Sequence, residues 1–596
     1  MKSYQTRDDV PAHEKWRLED IYSTTEAWEQ DAKSVLKLAE ELKAFDGNIH
    51  DAQALYNFLK LEEELSFIYR KVYAYAMFKV DSDTRVSASQ ALMDQARQIG
   101  QKAGSATAFF RPYLLSLDES TLKGYIEQLP ELTYFEEDLF EVYRYKKHVL
   151  SKEQEDVLSQ MSTALSAPQS IFGMINNADI KFGDVTNEDD EKVELTRGMY
   201  AKILESEDRE KRIEAFKAYY QPYLHLKNTI GTTYASAVKN NVAVSRLRHY
   251  PSALEKALFA DNVPKEVYDH LIKATKDNIA PLHRYMSIRK EQMGLDELHQ
   301  YDLSVPLVQG AKQTISFEEA FDIMLKGLAP LGEEYISILS TFKDKHYIDV
   351  RETPGKRSGA YNMGLYGVHP FILLNHRDDL DSLFTLAHEC GHGMHSYFST
   401  TYQPQITASY TIFVAEVAST VNEVLLIRYL LKTTEDKLLK KHLLNHFIDS
   451  FKGTFFTQVM FAEFEKLAHE KAEKDEPLNT DVFNAIYEKI YHDYNGPEVV
   501  LDDEIKYSWT RIPHFYRPFY VYKYATGYTS AIHIADKILE GDQETLKNYL
   551  NFLKSGSSDY PLELLKATGV DLTTPEPIQN ALAIFSGLVD EFAALD

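Results

Sequence analysis

His388 and His392 stand four residues apart, with Glu389 directly after the first, inside the run Phe384-Thr385-Leu386-Ala387-His388-Glu389-Cys390-Gly391-His392-Gly393-Met394-His395. No other feature of the 596 residues constrains the fold as tightly. Four residues is about one helical turn, so on a helix both imidazoles leave one face and can reach a single metal ion. Glu389 then points to the side of the pair, where it can hold a water beside the metal without taking a metal position. A metal centre that works on a substrate takes three protein ligands and keeps one position open. The fold must therefore bring a third ligand to this helix from a separate element.

The next helical run, Tyr410 to Glu423, offers two candidates. Glu416 lies among Val414, Ala415, Val417 and Ala418, where an unpaired carboxylate is expensive to bury. A metal or a core salt bridge would satisfy it, and we take Glu416 as the third ligand. Glu423, seven residues on, shares its face and is read as orienting a ligand histidine, with a plain structural role as the alternative. Leu386, Met394 and Phe398 give the histidine helix an apolar anchor, and Gly391 leaves room for a neighbouring backbone. Cys390 points away from the metal face and reads as a small buried residue. His395, seven residues after His388, faces the same way and is expected to line the site, but is not assigned as a ligand.

The formal charge of -26 argues against nucleic acid or an anionic membrane as partner, since both require a basic surface. There is one cysteine, so no internal disulfide forms. The segment Met1 to Val10 lacks the apolar core of a signal peptide, and no run of about 18 apolar residues occurs. The expectation is a cytoplasmic protein.

From Glu26 to about Met161 the patterning is helical. Phe58, Leu61, Leu65, Ile68 and Val72 form a 3-4-3-4 stripe, and Ser151 with Gln154 reads as a capping box. Between Ile175 and Arg197 the period changes to two on either side of Asn187–Glu191, which predicts a β-hairpin. We place a boundary near residue 200, giving a helical N-terminal region (1–200) ending in a hairpin and a second region (201–596) that carries the metal helix. Short strands are expected at Tyr347–Val350, Gly359–Asn362 and Pro370–Asn375, making a small sheet just before that helix. Its edge offers main-chain hydrogen bonds to an added peptide strand, unless the strands only pack the helix. The fold class is mainly α with a small β-sheet.

These motifs carry a resemblance. His388-Glu389-Cys390-Gly391-His392-Gly393-Met394-His395 followed by Phe413-Val414-Ala415-Glu416 and Glu423 resembles the thimet oligopeptidase clan of zinc metallopeptidases, and within it the oligoendopeptidase F group. Supporting stretches are Trp16–Tyr22, Gly359-Ala360-Tyr361, His369–His376 and Met460–Glu465, so the likeness runs nearly end to end. It implies a two-lobed helical zincin with a deep central channel, part of whose wall is the 1–200 region. It also implies one zinc ion per chain, held by His388, His392 and Glu416, with Glu389 as general base. The implied activity is cleavage of internal bonds in short unfolded peptides, with neither nucleic acid nor membrane as partner.

The resemblance further places a histidine and tyrosines over the scissile carbonyl, and we carry those roles to His514, Tyr520 and Tyr524. The His-to-Tyr spacing departs slightly from that of thimet oligopeptidase. Tyr516, Tyr520, Tyr524 and Tyr528 recur every fourth residue, one phenolic face if the segment is helical throughout, which Pro518 opposes. The alternatives are a dipeptidyl carboxypeptidase or zinc carboxypeptidase of related helical build, or an inactive peptide-binding scaffold. A thermolysin-like or aminopeptidase reading fits less well, because Glu416 lies 24 residues after His392. No G-x-S-x-G elbow or phosphate loop is present.

Overall fold

The computed structural model describes residues 4–308 and 313–595, so Met1, Lys2 and Ser3 of the N-terminal stretch lie outside the described residues. The chain is mainly helical, with one two-stranded and one three-stranded sheet among the described residues. It folds as two compact units, each assembled from separated stretches: Met1–Val149, Gln313–Leu426 and Lys537–Tyr560 in the first, Leu150–Lys312, Ile427–Asp536 and Pro561–Asp596 in the second. The division at residue 200 is, by contrast, sequential.

In the first unit, the apolar stripe lies on the 31-residue helix Ala52–Ser82, with Phe58, Leu65 and Val72 buried and Leu61 and Ile68 half-buried. Asp51 caps that helix by accepting from the Ala54 amide at 2.8 Å, satisfying one of the donors that a helix start leaves open. Trp28, wholly buried on helix Thr25–Lys43, donates its indole N–H to the Val72 carbonyl at 2.8 Å and so fixes the two helices side by side.

A hairpin forms in the second unit around the Asn187–Glu191 turn, but it is short: β1 (Asp184–Thr186) pairs antiparallel with β2 (Lys192–Glu194), and the alternating Ile180 and Phe182 lie before the first strand. The three-stranded sheet, in the first unit, combines β3 (Ile348–Arg351), β4 (Tyr361–Met363) and β5 (Phe371–His376) in the order β3-β5-β4. β5 is central, parallel to β3 and antiparallel to β4, which explains its almost continuously buried run. Its Ile372 meets the histidine helix at Gly393, where a Cβ would lie 3.0 Å from Ile372 Cδ1 and 2.7 Å from Phe342 Cε2. On β4, Asn362 donates to Ser396 Oγ at 2.9 Å.

The N-terminal segment is locked onto this sheet by buried charge. Asp349 on β3 accepts from the Trp16 amide at 3.3 Å, lies 2.7 Å from Lys356 Nζ and pairs with Arg7. Arg351, also on β3, binds both oxygens of Glu14 at 3.0 and 3.1 Å and Asp378 at 2.6 Å. Trp16 then packs its ring on Phe78 and Phe371.

Burial alone would raise the Asp349 carboxyl, but Lys356 and Arg7 hold it below its ordinary value. Such a carboxylate stabilises the fold above the usual carboxylate range, and its contribution is lost as pH falls through the depressed folded value. Asp349→Asn leaves Lys356 and Arg7 without their counter-charge and should destabilise the protein by about 3 kcal/mol. Thermal unfolding at neutral pH should show that loss. The variant should also lose less stability than the wild type below about pH 4; equal melting temperatures would contradict a stabilising role for the pairing.

Candidate metal centre

The histidine helix spans Leu380–Tyr402 and is capped by the Asp379 side chain, which accepts from the Ser382 amide at 2.8 Å. Leu383, Leu386, Cys390, Met394 and Phe398 are buried, so Cys390 packs in the core as expected. Helix Ile412–Thr433 carries Glu416 and Glu423. The two helices touch backbone to backbone at Gly391, where a Cβ would sit 2.6 Å from both the Ala418 carbonyl oxygen and Ser419 Cα. A further lock is Asn422, wholly buried, which donates to the Ala387 carbonyl at 3.1 Å and accepts from the Tyr335 hydroxyl at 2.9 Å. Sequence reasoning missed Asn422, although an amide amid Val421, Val424 and Leu425 is a signal of its own, since a buried polar group needs a partner.

This packing brings the predicted ligands together. Glu416 Oε2 lies 3.5 Å from His388 Nε2 and 3.7 Å from His392 Nε2. The imidazole rings are 4.8 Å apart and nearly perpendicular. One ligand atom from each of the three residues falls within 4.8 Å of the others, and two imidazole nitrogens with one carboxylate oxygen are a donor set that zinc takes. His13, Glu14 and Glu318 make a second such grouping, but Glu14 is already committed to Arg351.

Glu423 Oε1 is 3.4 Å from His388 Nδ1, on the ring nitrogen opposite the one facing Glu416. Burial disfavours charge on His388, yet Glu423, together with Glu389 and Glu416, outweighs it and raises the imidazole to about 9. Glu389 is 6% exposed, and its Oε2 has no hydrogen-bond partner among the described residues. Burial raises its carboxyl to about 7, with His388 opposing the shift and Glu416 and Glu423 adding to it. His395 does not line this group: it is 1% exposed and stacks on Tyr410 with ring centroids 3.7 Å apart.

His514, Tyr520 and Tyr524 form a cluster of their own in the second unit. Ring centroids are 6.0 Å apart for His514 and Tyr520, 6.2 Å for His514 and Tyr524, and 5.6 Å for the two tyrosines. All three side chains are half-buried. The four-tyrosine face does not form, because helix Tyr522–Leu539 begins only after Pro518 and Phe519. Phe519 takes a left-handed φ of 56°, and its amide donates to Glu465 Oε1 at 3.0 Å. Glu465 is wholly buried, and burial pushes its carboxyl well above the usual range. Tyr516, upstream of this bend, is buried and stacks on Phe172 with centroids 4.5 Å apart, while Tyr528 is also buried.

The model of "Peptidase family M3" matches residues 202–584, and that of "Oligopeptidase F" matches residues 114–182. The chain belongs to peptidase family M3. This M3 chain is 43% identical to Oligopeptidase PepF of Bacillus subtilis over 590 residues, covering 99% of the chain and 88% of that protein. Oligoendopeptidase-F from Enterococcus faecium superposes with a TM-score of 0.75 at 34% identity, covering 96% of this chain and 98% of that one. A solved structure from Chlamydophila abortus superposes with a TM-score of 0.90 at 32% identity, covering 99% of this chain and all of the other.

In this M3 peptidase the helix contact at Gly391 decides whether both ligand sets converge. Gly391→Ala places a methyl group against backbone that cannot yield without moving the helices. Zinc affinity should fall at least about tenfold while helix content by circular dichroism stays unchanged; wild-type zinc content under chelator competition would show that the contact is not limiting.

Proposed function

We propose that this M3 peptidase is a zinc-dependent endopeptidase that hydrolyses internal bonds of short, unfolded oligopeptides. The observation that carries the reading is the buried Glu389 carboxyl, whose Oε2 has no hydrogen-bond partner among the described residues, next in sequence to His388 of the His388, His392 and Glu416 group. Those three residues would hold one zinc per chain. The zinc, when bound, supplies Lewis-acid polarisation of the scissile carbonyl and acidifies a water.

The protein's own groups do the rest. Glu389, raised towards neutral pH, is suited to accept a proton from the attacking water and return it to the leaving amine. Glu423 steadies the His388 ring through Nδ1. In this reading His514, Tyr520 and Tyr524 donate to the oxyanion, an effect typically worth ~3 kcal/mol per donor. The outer edge of β4 would take the peptide as an added strand, which holds any sequence in register by main-chain hydrogen bonds. The two-lobed channel that excludes folded proteins, and a cytoplasmic location, belong to the same proposal and rest on the family likeness and the single cysteine. Among the described residues no helix is long and apolar enough to cross a membrane.

Glu389→Gln should retain zinc and lose kcat by about two to four orders of magnitude, measured on a quenched fluorescent peptide. Near-normal turnover would remove Glu389 from the base role, and an inactive wild type with full zinc would favour a binding scaffold. Amidating the peptide's C-terminus should leave cleavage intact, whereas a carboxypeptidase or dipeptidyl carboxypeptidase would lose it.

A further inference from the structure

A cavity of about 170 Å³ lies within the second unit, lined by Lys452, Arg511, Gln300, Tyr487, Tyr491 and Ser508 together with apolar side chains. Its charge is unbalanced. Arg511 forms no ion pair with a carboxylate of the described residues; its guanidinium lies 6.0 Å from the centre of the Tyr220 ring, and its buried Nε has no hydrogen-bond partner. Arg511 is half-buried, and a guanidinium partly out of water with neither counter-charge nor full hydrogen bonding is costly.

Lys452 adds a second cation. Its ammonium donates to the Leu303 carbonyl at 3.3 Å, and its nearest carboxylate, Asp449, is 3.7 Å away and is shared with Arg289 at 3.8 Å. Burial, with Arg289 adding to it and Asp449 opposing it, lowers Lys452 to about 8, as expected in an electropositive site. Of the neighbouring carboxylates, Glu463 is bonded by Lys276 and Tyr494, while Asp502 lies 2.9 Å from His299 Nδ1 through Oδ1 and its buried Oδ2 has no hydrogen-bond partner among the described residues; neither pairs with Arg511. The Tyr491 and Tyr494 hydroxyls donate, to Gln300 and Glu463, and so carry no negative charge.

We propose that this cavity binds a small free oxyanion of the inorganic phosphate or sulfate class, held by the Arg511 guanidinium and the Lys452 ammonium. The guanidinium presents a planar fork of N–H donors that matches two oxygens of such an ion, and the ammonium, which lines the same cavity, supplies a point charge. The partly enclosed site strengthens both interactions relative to water. It is separate from His388, His392 and Glu416, and oxyanion binding there does not depend on the peptidase reading.

The test is a titration of the full-length, zinc-loaded protein with sodium phosphate, and separately with sodium sulfate. Chloride keeps ionic strength constant, and melting temperature and binding heat are followed. A ligand that binds only the folded state raises the melting temperature saturably. We expect a saturable rise with both oxyanions and none with chloride alone. Arg511→Met and Lys452→Met should each weaken the apparent affinity at least tenfold, with zinc content unchanged. Lys452 is 19% exposed, so its variant tests the site even if Arg511→Met fails to fold. No saturable rise in the wild type, or an unaltered one in Lys452→Met, would overturn the proposal.

Discussion

The close approach of two helix backbones at Gly391 is the constraint on which the metal centre depends. Two histidines come from one helix and a glutamate from the other, and the three can meet only if the axes come closer than side-chain-bearing residues permit. The missing Cβ at Gly391 provides that room against Ala418 and Ser419. Asn422 then fixes the register by bonding the Ala387 carbonyl, one residue before His388. Register matters because Glu416 and Glu423 are seven residues apart and must reach opposite nitrogens of the His388 ring.

Around that contact the protein keeps ionisable groups under strict control. The sheet beneath the histidine helix holds Asp349 and Arg351 inside the fold, each matched by opposite charges drawn in part from the N-terminal segment. Pairing of this kind turns burial from a penalty into specificity, since removing one partner strands the other. Glu389 differs from these pairs: it is buried, and its Oε2 is without a hydrogen bond among the described residues. A carboxylate kept in that condition has a raised proton affinity, which suits proton transfer and serves no evident packing purpose.

Much of this was legible in the sequence because it depends on short spacings. The His388–His392 interval, the Ser151 capping box and the turn of the hairpin are all local signals, and each appears in the structure. Glu416 was readable because a carboxylate in an apolar run demands a partner. The tyrosine repeat misled because fourfold spacing presumes a continuous helix, whereas Pro518 and the left-handed Phe519 bend the chain before helix Tyr522–Leu539 starts. Asn422 and the tie between the N-terminal segment and β3 are long-range contacts, and periodicity carries no record of them. The discontinuous make-up of the compact units is hidden for the same reason.

The central claim is that His388, His392 and Glu416 together hold one catalytic zinc. The most direct measurement is zinc affinity by chelator competition for the wild type and for Glu416→Ala, with metal content determined on both. One zinc per wild-type chain is expected, with a loss of affinity greater than about 100-fold in the variant. Wild-type affinity and stoichiometry in Glu416→Ala would contradict the claim, because the third ligand would then come from elsewhere.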